Sequence, residues 1–454
     1  MLYPAFCQQL NDPTLSHAQP STHFVLGLSG GVDSRVMLHL LGKFKAQYPK
    51  HQYRAVYVHH GLSDNADHWQ RQCEQYCQQA DIDFQVEKVT LALGAQVSIE
   101  QAAREARYQA LSKHIDSNGV LLTGQHGSDQ VETFLLALKR GSGPKGLSAM
   151  PAQAEFGKGR LLRPFLTLPQ SCIQDYAQQH KLNWIEDESN QDTRFDRNFI
   201  RHQITPILKA RWPHIESTIA RSAGLCAEQE DLLQSLLSER LKSMMLPDDS
   251  ISIESLKQQT KPARDALLRM WIGQQHHLMP SAKQLQQIWQ DVALAKTDAA
   301  PKFRYGLTQL GRFENRLYVF VVKPDISSQV LEWNVAEELE LPNGLGHLQL
   351  ISGNQTGGLM AEDENIITLR LPEDIQHLQV QFSFNGITAH PESRQHSRKL
   401  KKLLQEYKIP TWQRDQIPLL MDKGELVSAL GLFVCKPYSG CSHQLRWFKM
   451  ENDI

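Results

Sequence analysis

Two stretches of this 454-residue chain combine glycines with carboxylates where a strand pattern gives way to a helix pattern. The first stretch follows the apolar run 23–28 and reads Ser29-Gly30-Gly31-Val32-Asp33-Ser34. Adjacent glycines let backbone N–H groups approach an anion at a helix N-terminus, where negative charge is already favoured. The motif therefore predicts a phosphate-binding loop in which Asp33 holds a metal ion. A plain glycine turn with a helix cap is the alternative.

The second stretch, 124–130, lies between a predicted strand at 120–123 and a predicted helix at 131–139. It contains His126 and Asp129, and Glu132 follows three residues later. Residues three apart at a helix start share one face, so Asp129 and Glu132 can act on one ligand. A reciprocal N-cap between the two explains the pair equally well. Because ligands in open α/β sheets bind beyond the carboxyl ends of strands, both stretches should face one crevice.

Strand and helix patterns alternate over residues 1–215, as expected of a parallel sheet covered by helices. Further strands are predicted at 54–60 and 84–89, and further helices at 67–80 and from the capping-box residue Ser98 to about His114. The fold class is thus α/β, with a parallel-sheet N-terminal domain, then a mainly helical domain at 216–323 and a small α+β C-terminal domain at 324–454. A hairpin is expected at 313–316 and a loose loop at 353–364.

The helical domain is predicted from a stripe of apolar residues with helical spacing. The stripe consists of Ile219, Ala223, Cys226, Leu232, Leu233, Leu236, Leu237 and Leu241. This spacing predicts the buried face of one or two helices.

Composition restricts the function classes. The chain has 48 Lys plus Arg against 49 Asp plus Glu, so its overall charge does not attract nucleic acid or membrane, and RNA contact requires local patches. Seven cysteines without a CxxC pair favour a reducing compartment over a disulfide framework. Nowhere do 18 apolar residues occur in succession, so we expect no membrane association and a cytoplasmic location.

One local patch, 386–412, has six Lys or Arg against two Glu. A helix at 397–407 would bury one apolar face and leave a basic face for a phosphate backbone. A simply solvated face is the alternative, and charge alone favours it. The basic residues of this helix are Arg398, Lys399, Lys401 and Lys402.

The glycine loop resembles the PP-loop of ATP pyrophosphatases, since no lysine follows its glycines as in a Walker loop. That superfamily cleaves ATP between its α and β phosphates, so the resemblance implies that a substrate is adenylated. Other stretches are similar to the tRNA(Ile)-lysidine synthetase family. These stretches are 103–108, 123–143, 187–206, 398–406, 410–420 and 430–435.

In that family, AMP is transferred from ATP to the wobble cytidine of a CAU-anticodon isoleucine tRNA. The ε-amine of free L-lysine then attacks C2 and AMP departs, leaving lysidine and changing decoding from AUG to AUA. The resemblance implies ATP and Mg²⁺ as cofactors and tRNA(Ile) and free L-lysine as partners, and it leaves a homodimer open. Because a lysine amine is almost fully protonated at neutral pH, the site must also deprotonate it.

The resemblance also implies roles for individual residues. The catalytic residues would be Asp33, Asp129, Glu132 and Arg197, of which Asp33 and Asp129 would bind the metal. ATP would contact Ser29, Gly30, Gly31, Val32, Asp33, Ser34, Arg107 and His126. The tRNA would contact Arg194, Arg201, Arg398, Lys399, Lys401 and Lys402. Ion pairing with Asp192 and Asp196 is the alternative for the arginines near 197, and a structural role is the alternative for His126.

The chain departs from the family pattern at Gln125 and Ser128, where we expect a histidine and an acidic residue. We therefore expect Asp129 to carry the main charge of this loop. Asp129→Asn should abolish lysine incorporation and Ser128→Ala should leave most activity, and equal losses would contradict this.

Rival functions make different demands on the sequence. A tRNA thiolase needs a cysteine pair or cluster ligands, whereas Cys73 and Cys77 are four apart and are expected to pack on a helix face. An ammonia-using synthetase is disfavoured because no glutaminase signature is present. Another PP-loop tRNA-modifying enzyme and a non-catalytic tRNA-binding protein stay open, and the latter would bind tRNA without releasing AMP.

Overall fold

The computed structural model describes residues 2–12, 21–61, 63, 65–90, 99–275, 277–296, 299–352 and 366–449. The chain divides into two compact units, Met1–Gln234 and Ser235–Ile454. The predicted cap at Ser98 and the predicted loop at 353–364 lie outside the described residues. In the described part of the chain, no helix combines the length and apolar character needed to cross a bilayer.

The first unit begins with alternating helices and strands. In chain order these are α1 Leu2–Leu10, β1 His23–Gly27, α2 Val32–Gln47, β2 Gln52–His59, α3 Ala66–Ala80, β3 Asp83–Lys88, α4 Ile99–Ser112, β4 Gly119–Leu122 and α5 Gly127–Lys139. The following elements are α6 Pro144–Leu147, β5 Gln153–Phe156, β6 Gly159–Leu162, α7 Gln170–Gln179, α8 Asp196–Phe199, α9 Thr205–Arg211 and α10 Ile215–Met244, whose last ten residues belong to the second unit. A 3-10 turn at Glu188–Gln191 and a π-helical turn at Ile200–Ile204 flank α8.

These strands form one sheet in the order β3-β2-β1-β4-β6-β5. All neighbours are parallel except β5, which runs antiparallel to β6. The central strands are buried on both faces, as the near-continuous apolar runs at β1 and β4 require. Because β1 and β4 pair in parallel, with Leu26 opposite Leu122, the loops that follow them begin at the same edge. The parallel-sheet prediction is confirmed.

The loop after β4 is shorter than predicted, because α5 already begins at Gly127. His126 is its N-cap: the His126 Nδ1 accepts the Ser128 N–H at 3.2 Å, and the Asp129 carboxylate accepts the His126 N–H at 3.0 Å. The reciprocal cap between Asp129 and Glu132, given above as the alternative to a functional role, does not form: Asp129 does take part in a capping box, but with His126. A histidine cap lacks the usual Ser, Thr, Asp or Asn signal, which explains the error.

Helix α10 is one continuous helix of 30 residues. The buried stripe is confirmed at its two ends, where Ile219 and Leu241 are buried. It is wrong in the middle, where Leu232, Leu233 and Leu236 are 59%, 40% and 66% exposed. Helical spacing predicts which residues share a face, but burial also requires a packing partner along the whole length.

The second unit starts with short helices and a small sheet. Its elements are β7 Ile251–Ser252, α11 Ile253–Lys257, α12 Lys261–Gln274, α13 Ala282–Gln287, a π-helical turn Ile288–Ala293, β8 Lys302–Tyr305, β9 Thr308–Phe313 and β10 Arg316–Val321. The predicted hairpin is β9–β10, and its turn residues Glu314 and Asn315 have φ of 44° and 62°. The four strands pair in the order β7-β10-β9-β8.

The rest of this unit is rich in strands, as the α+β prediction implies. The elements are β11 Val330–Asn334, β12 Leu339–Glu340, β13 His347–Ser352, β14 Ile366–Leu369, β15 His377–Gln381, β16 Thr388–Ala389, β17 Arg398–Lys399, α14 Leu400–Glu406, β18 Leu419–Asp422, β19 Glu425–Ala429, β20 Phe433–Val434 and β21 His443–Phe448. They form sheets in the orders β11-β15-β18-β19-β20 and β12-β13-β21-β14, and β16 pairs with β17.

The predicted basic helix is shorter than expected. Arg398 and Lys399 form strand β17, which pairs with β16, so their placement on a helix face was wrong. Leu400, Leu403 and Leu404 are buried as predicted. Backbone pairing to a preceding strand overrides helical propensity at the two positions before α14.

Candidate active site

The glycine loop connects β1 to α2 and is held by its own serines. The Ser34 hydroxyl donates to the Gly31 carbonyl at 3.0 Å and lies 3.1 Å from the Ser29 hydroxyl. Gly30 has φ +84°, and a Cβ there would lie 2.4 Å from the Cδ1 atom of Ile185, so glycine is required. Gly31 caps α2 without a side-chain hydrogen bond, which leaves the first N–H groups of the helix to donate to a ligand.

Asp33 lies in the first turn of α2, beside this loop. Its Oδ1 atom is buried and has no hydrogen-bond partner in the part of the chain that the structure describes. Burial raises the pKa of Asp33, His126 opposes that shift, and Asp129 adds to it. The His126 Nε2 atom lies 3.8 Å from Asp33 Oδ1 and 3.5 Å from Asp129 Oδ2. Two carboxylates and an imidazole therefore converge at the start of α2 and α5.

An unpartnered buried carboxylate oxygen fits a divalent cation. Among the described residues, no group of three or more His, Cys, Asp or Glu is arranged to hold a metal by itself. Magnesium commonly uses one or two carboxylates together with substrate phosphates. The residues at Asp33 therefore fit an ion that arrives with a phosphate ligand rather than a preformed metal cage.

Glu132 is buried beneath two guanidinium groups, with its side chain 1% exposed. Arg201 donates through Nε to Oε1 at 2.6 Å and through Nη2 to Oε2 at 3.1 Å. The Arg197 Nε atom lies 3.0 Å from Oε2. Burial raises the pKa of Glu132, although Arg201 and Arg197 act in the opposite direction. Both Glu132 oxygens are thus occupied by cations of the protein itself.

Arg201 also contacts Asp129, because its Nη2 atom donates to Asp129 Oδ1 at 3.1 Å. Arg197 donates to the Thr133 hydroxyl at 3.0 Å. These contacts attach the segment around α8 to the first two turns of α5. They place Arg201 inside the site with its side chain 31% exposed, and its expected contact with tRNA stays a prediction.

A cavity of about 340 Å³ lies between the two loops. Arg107 lines it, and among the described residues no carboxylate lies within ion-pairing distance of its guanidinium. Burial lowers the pKa of Arg107, so an anion entering the cavity would stabilise its charge. The other residues of the lining that matter here are Ser29, Asp33, Ser34, Arg104, Gly124, Asp129, Asp187 and Arg197.

Arg104 is a site residue that the sequence reasoning missed. It lines the same cavity as Arg107, one turn earlier on α4, and its guanidinium carbon lies 5.0 Å from the centre of the Tyr108 ring. The signal was present, because residues three apart on a helix share a face.

A second cavity of about 850 Å³ adjoins the first and shares Tyr57, His60, Asp187 and Arg197 with it. Glu188 also lines this second cavity. No site role had been expected for Asp187 or Glu188. Together the two cavities offer room for more than a nucleotide.

Comparison with known proteins identifies the family of the chain. Residues 3–208 match the family model of a PP-loop domain, 251–318 that of a TilS substrate binding domain, and 378–450 that of a TilS substrate C-terminal domain. The tRNA(Ile)-lysidine synthase of Photobacterium profundum is 46% identical over 447 residues, covering 98% of this chain and 99% of that protein. The enzyme of the same name from Vibrio cholerae is 45% identical over 453 residues, with 100% and 99% covered.

The chain belongs to the tRNA(Ile)-lysidine synthase family. The resemblance inferred from its motifs is thereby confirmed. Among solved structures, a U34-tRNA thiolase from Methanococcus maripaludis is 17% identical with a TM-score of 0.42, covering 50% of this chain and 78% of that one. That likeness adds nothing to the assignment.

Within this lysidine synthase family member, the structure brings most of the expected N-terminal site residues together. Those that surround the two loops are Ser29 to Ser34, Arg107, His126, Asp129, Glu132, Arg197 and Arg201. His126 is buried and caps α5, which is the structural role given above as the alternative to ligand contact. Arg194 does not join them: its side chain is 88% exposed and pairs with Asp192 at 2.7 Å. The alternative of surface ion pairing therefore describes Arg194.

The basic residues of the tail have different surroundings. Arg398 pairs with Glu406, and Arg394 reaches the same carboxylate at 2.6 Å. Lys399, Lys401 and Lys402 are exposed, and no carboxylate of the described residues pairs with them. The charge available for an external phosphate thus resides in the three lysines.

Proposed function

We propose that this protein ligates free L-lysine to C2 of the wobble cytidine of CAU-anticodon tRNA(Ile), with ATP converted to AMP and pyrophosphate. Family membership over nearly the whole chain supports the reaction class. One observation carries the chemistry: Ser29 and Ser34 of the glycine loop line a single cavity with Asp33 and Arg107, and among the described residues Asp33 Oδ1 has no hydrogen-bond partner and Arg107 no carboxylate partner. Such a cavity suits a polyphosphate accompanied by a cation.

In the first step, the cytidine O2 attacks the α-phosphorus of ATP, and pyrophosphate leaves with the bonding electrons. The N–H groups at the start of α2 and the Arg107 guanidinium stabilise the charge on the phosphates. Asp33 is the residue that would hold magnesium, with Asp129 as a second ligand. A bound ion would neutralise part of the phosphate charge. Loss of the Asp33 carboxylate should therefore affect adenylation more than folding.

In the second step, the lysine ε-amine attacks C2 and the C2–O bond breaks as AMP departs. Lysine must first lose a proton, because its ammonium form is not a nucleophile. Asp129 lines the cavity, its side chain is 14% exposed, and each of its oxygens has a further lone pair beyond the single contact with His126 or Arg201, so its carboxylate can accept an ammonium N–H. Glu132 is occupied by Arg197 and Arg201, so we assign it a positioning role instead of the base function.

The contacts with tRNA are proposed from charge and exposure. Lys399, Lys401 and Lys402 contact the phosphate backbone, whereas Arg398 and Arg194 contribute less because each is paired to a carboxylate. The proposed division of the chain is a catalytic domain at 1–215 and tRNA-binding domains at 216–323 and 324–454. A cytoplasmic location and a homodimer also belong to this proposal.

An omission assay tests the function. Purified protein is incubated with ATP, magnesium, labelled lysine and unmodified CAU-anticodon tRNA(Ile), and each component is left out in turn. Label should enter tRNA only in the complete mixture, with one AMP released per lysine joined. Incorporation without ATP, or tRNA binding without AMP release, would contradict the proposed reaction.

A further inference from the structure

Ser128 links the catalytic helix α5 to the start of helix α10. Its hydroxyl donates to Glu216 Oε1 at 3.0 Å. The other oxygen of Glu216, Oε2, lies 2.8 Å from the Lys209 ammonium. Each Glu216 oxygen therefore has one donor, and a single carboxylate joins α5, α9 and α10.

The link is formed next to Asp129. Ser128 lies between the N-cap His126 and Asp129, in the first turn of α5. The Asp129 carboxylate is fixed by the His126 N–H and by Arg201, at 3.0 Å and 3.1 Å. Since both residues belong to one helical turn, a shift of Ser128 moves the Asp129 carboxylate with it.

The charge of its acceptor strengthens the Ser128–Glu216 hydrogen bond. A hydrogen bond to an ionised carboxylate is about twice as strong as one between neutral groups. The Glu216 side chain is 23% exposed, so water competes with this bond less than at an open surface. Lys209 restrains the carboxylate from the opposite side and compensates its charge.

We propose that Glu216 is a positioning residue for the lysine-transfer chemistry: through Ser128 it holds Asp129 in its working position, and Lys209 holds Glu216. This inference rests on the proposed function, because it assumes that Asp129 acts on lysine. It also changes the expectation for Ser128→Ala, which now loses a measurable part of the catalytic rate while losing far less than Asp129→Asn.

A double-mutant cycle tests the link. Ser128→Ala and Glu216→Ala should each lower kcat for lysine incorporation about fivefold, because small misplacements of reacting groups are costly. The double variant should also lose about fivefold, not the roughly 25-fold of independent effects, since both changes break the same contact. KM for ATP and for tRNA should stay within about twofold, because the link does not touch either substrate.

Two further variants serve as controls. Ser128→Thr keeps the hydroxyl and should retain kcat. Glu228→Gln removes a carboxylate from an exposed position of the same helix, two turns or more from the contact, and should behave as wild type. Because Ser128→Ala is a small change at a half-buried position, it tests the link even if Glu216→Ala does not fold.

The outcomes separate the two proposals. Unchanged kcat in Ser128→Ala, multiplicative losses in the double variant, or losses confined to KM would each overturn the positioning role. A wild-type protein that incorporates no lysine would overturn the proposed function instead.

Discussion

The substitution Glu132→Gln provides a direct measure of how the site is held together. It preserves the shape of a side chain that is 1% exposed but removes the charge that faces Arg197 and Arg201. Three nitrogen-to-oxygen contacts are affected, at 2.6 Å, 3.1 Å and 3.0 Å. The new amide NH2 can accept from neither guanidinium, so at least one buried cation loses its partner.

Removing one partner of a buried ion pair costs about 3–5 kcal/mol, because an uncompensated charge remains in a poorly polarisable surrounding. Arg201 keeps its contact with Asp129 at 3.1 Å, and burial, which raises the pKa of Glu132, already disfavours the charge that is removed. We therefore expect a loss below this range, about 2 kcal/mol. Urea denaturation of the wild type and the variant, followed by far-ultraviolet circular dichroism, measures this loss as a lower denaturation midpoint.

A surface pair gives the matched control. Lys139 and Asp196 are 2.6 Å apart, but their side chains are 59% and 62% exposed. Asp196→Asn should therefore cost less than about 1 kcal/mol. The positioning role of Glu132 is refuted if Glu132→Gln costs no more than this control. It is equally refuted if lysine incorporation is lost while stability is unchanged, since Glu132 would then act on substrate directly.

Four other changes follow from the same site and from the second unit. Because burial raises the folded-state pKa of Asp33, stability falls as pH rises through its unfolded and then its folded pKa. Asp33→Asn should thus melt higher at pH 7.5, match the wild type below about pH 4, and lose pyrophosphate release. Gly30→Ala should cost about 2 kcal/mol in thermal unfolding, because its Cβ meets Ile185 at 2.4 Å. Arg107→Ala should raise KM for ATP about 10- to 100-fold in steady-state assays. Trp412→Ala should cost about 2 kcal/mol in thermal unfolding, because its ring stacks on Phe320 at 4.9 Å, while ATP-binding affinity in calorimetry should stay unchanged.

The elements of the first unit could be predicted closely from local pattern. Strand β1 was expected at 23–28 and spans His23–Gly27, and helix α3 was expected at 67–80 and spans Ala66–Ala80. Strands buried on both faces are continuous apolar runs, which is a signal contained in each segment alone. Cys73 and Cys77 pack in the core as expected, both fully buried. The joint position of the two loops followed from parallel pairing of their strands.

The parts that failed depend on partners distant in sequence. Glu132 pairs with Arg197 and Arg201, which lie 65 and 69 positions further along the chain, and nothing local specifies that pairing. The leucines in the middle of α10 have helical spacing but are 40% to 66% exposed, so periodicity overestimated their burial. The pairing of Arg398 with Glu406 was not predicted either, and the contact of Arg398 with tRNA stays a prediction.

The distribution of charge explains why this site suits a nucleotide. Glu132 and Asp129 are compensated by Arg197 and Arg201 before any ligand binds, which fixes the framework around α5. Among the described residues, Asp33 and Arg107 do not form an ion pair with each other. In that part of the chain, Asp33 has only the His126 imidazole as an ion-pair partner, and Arg107 has no carboxylate partner. Partial burial of such charged groups costs free energy, in line with the raised pKa of Asp33 and the lowered pKa of Arg107. A phosphate chain carrying a divalent cation relieves both costs at once, because its anionic oxygens meet Arg107 and its cation meets Asp33. The proposed binding of ATP together with a divalent cation is therefore supported by which charges the fold has paired and which it has left for a ligand.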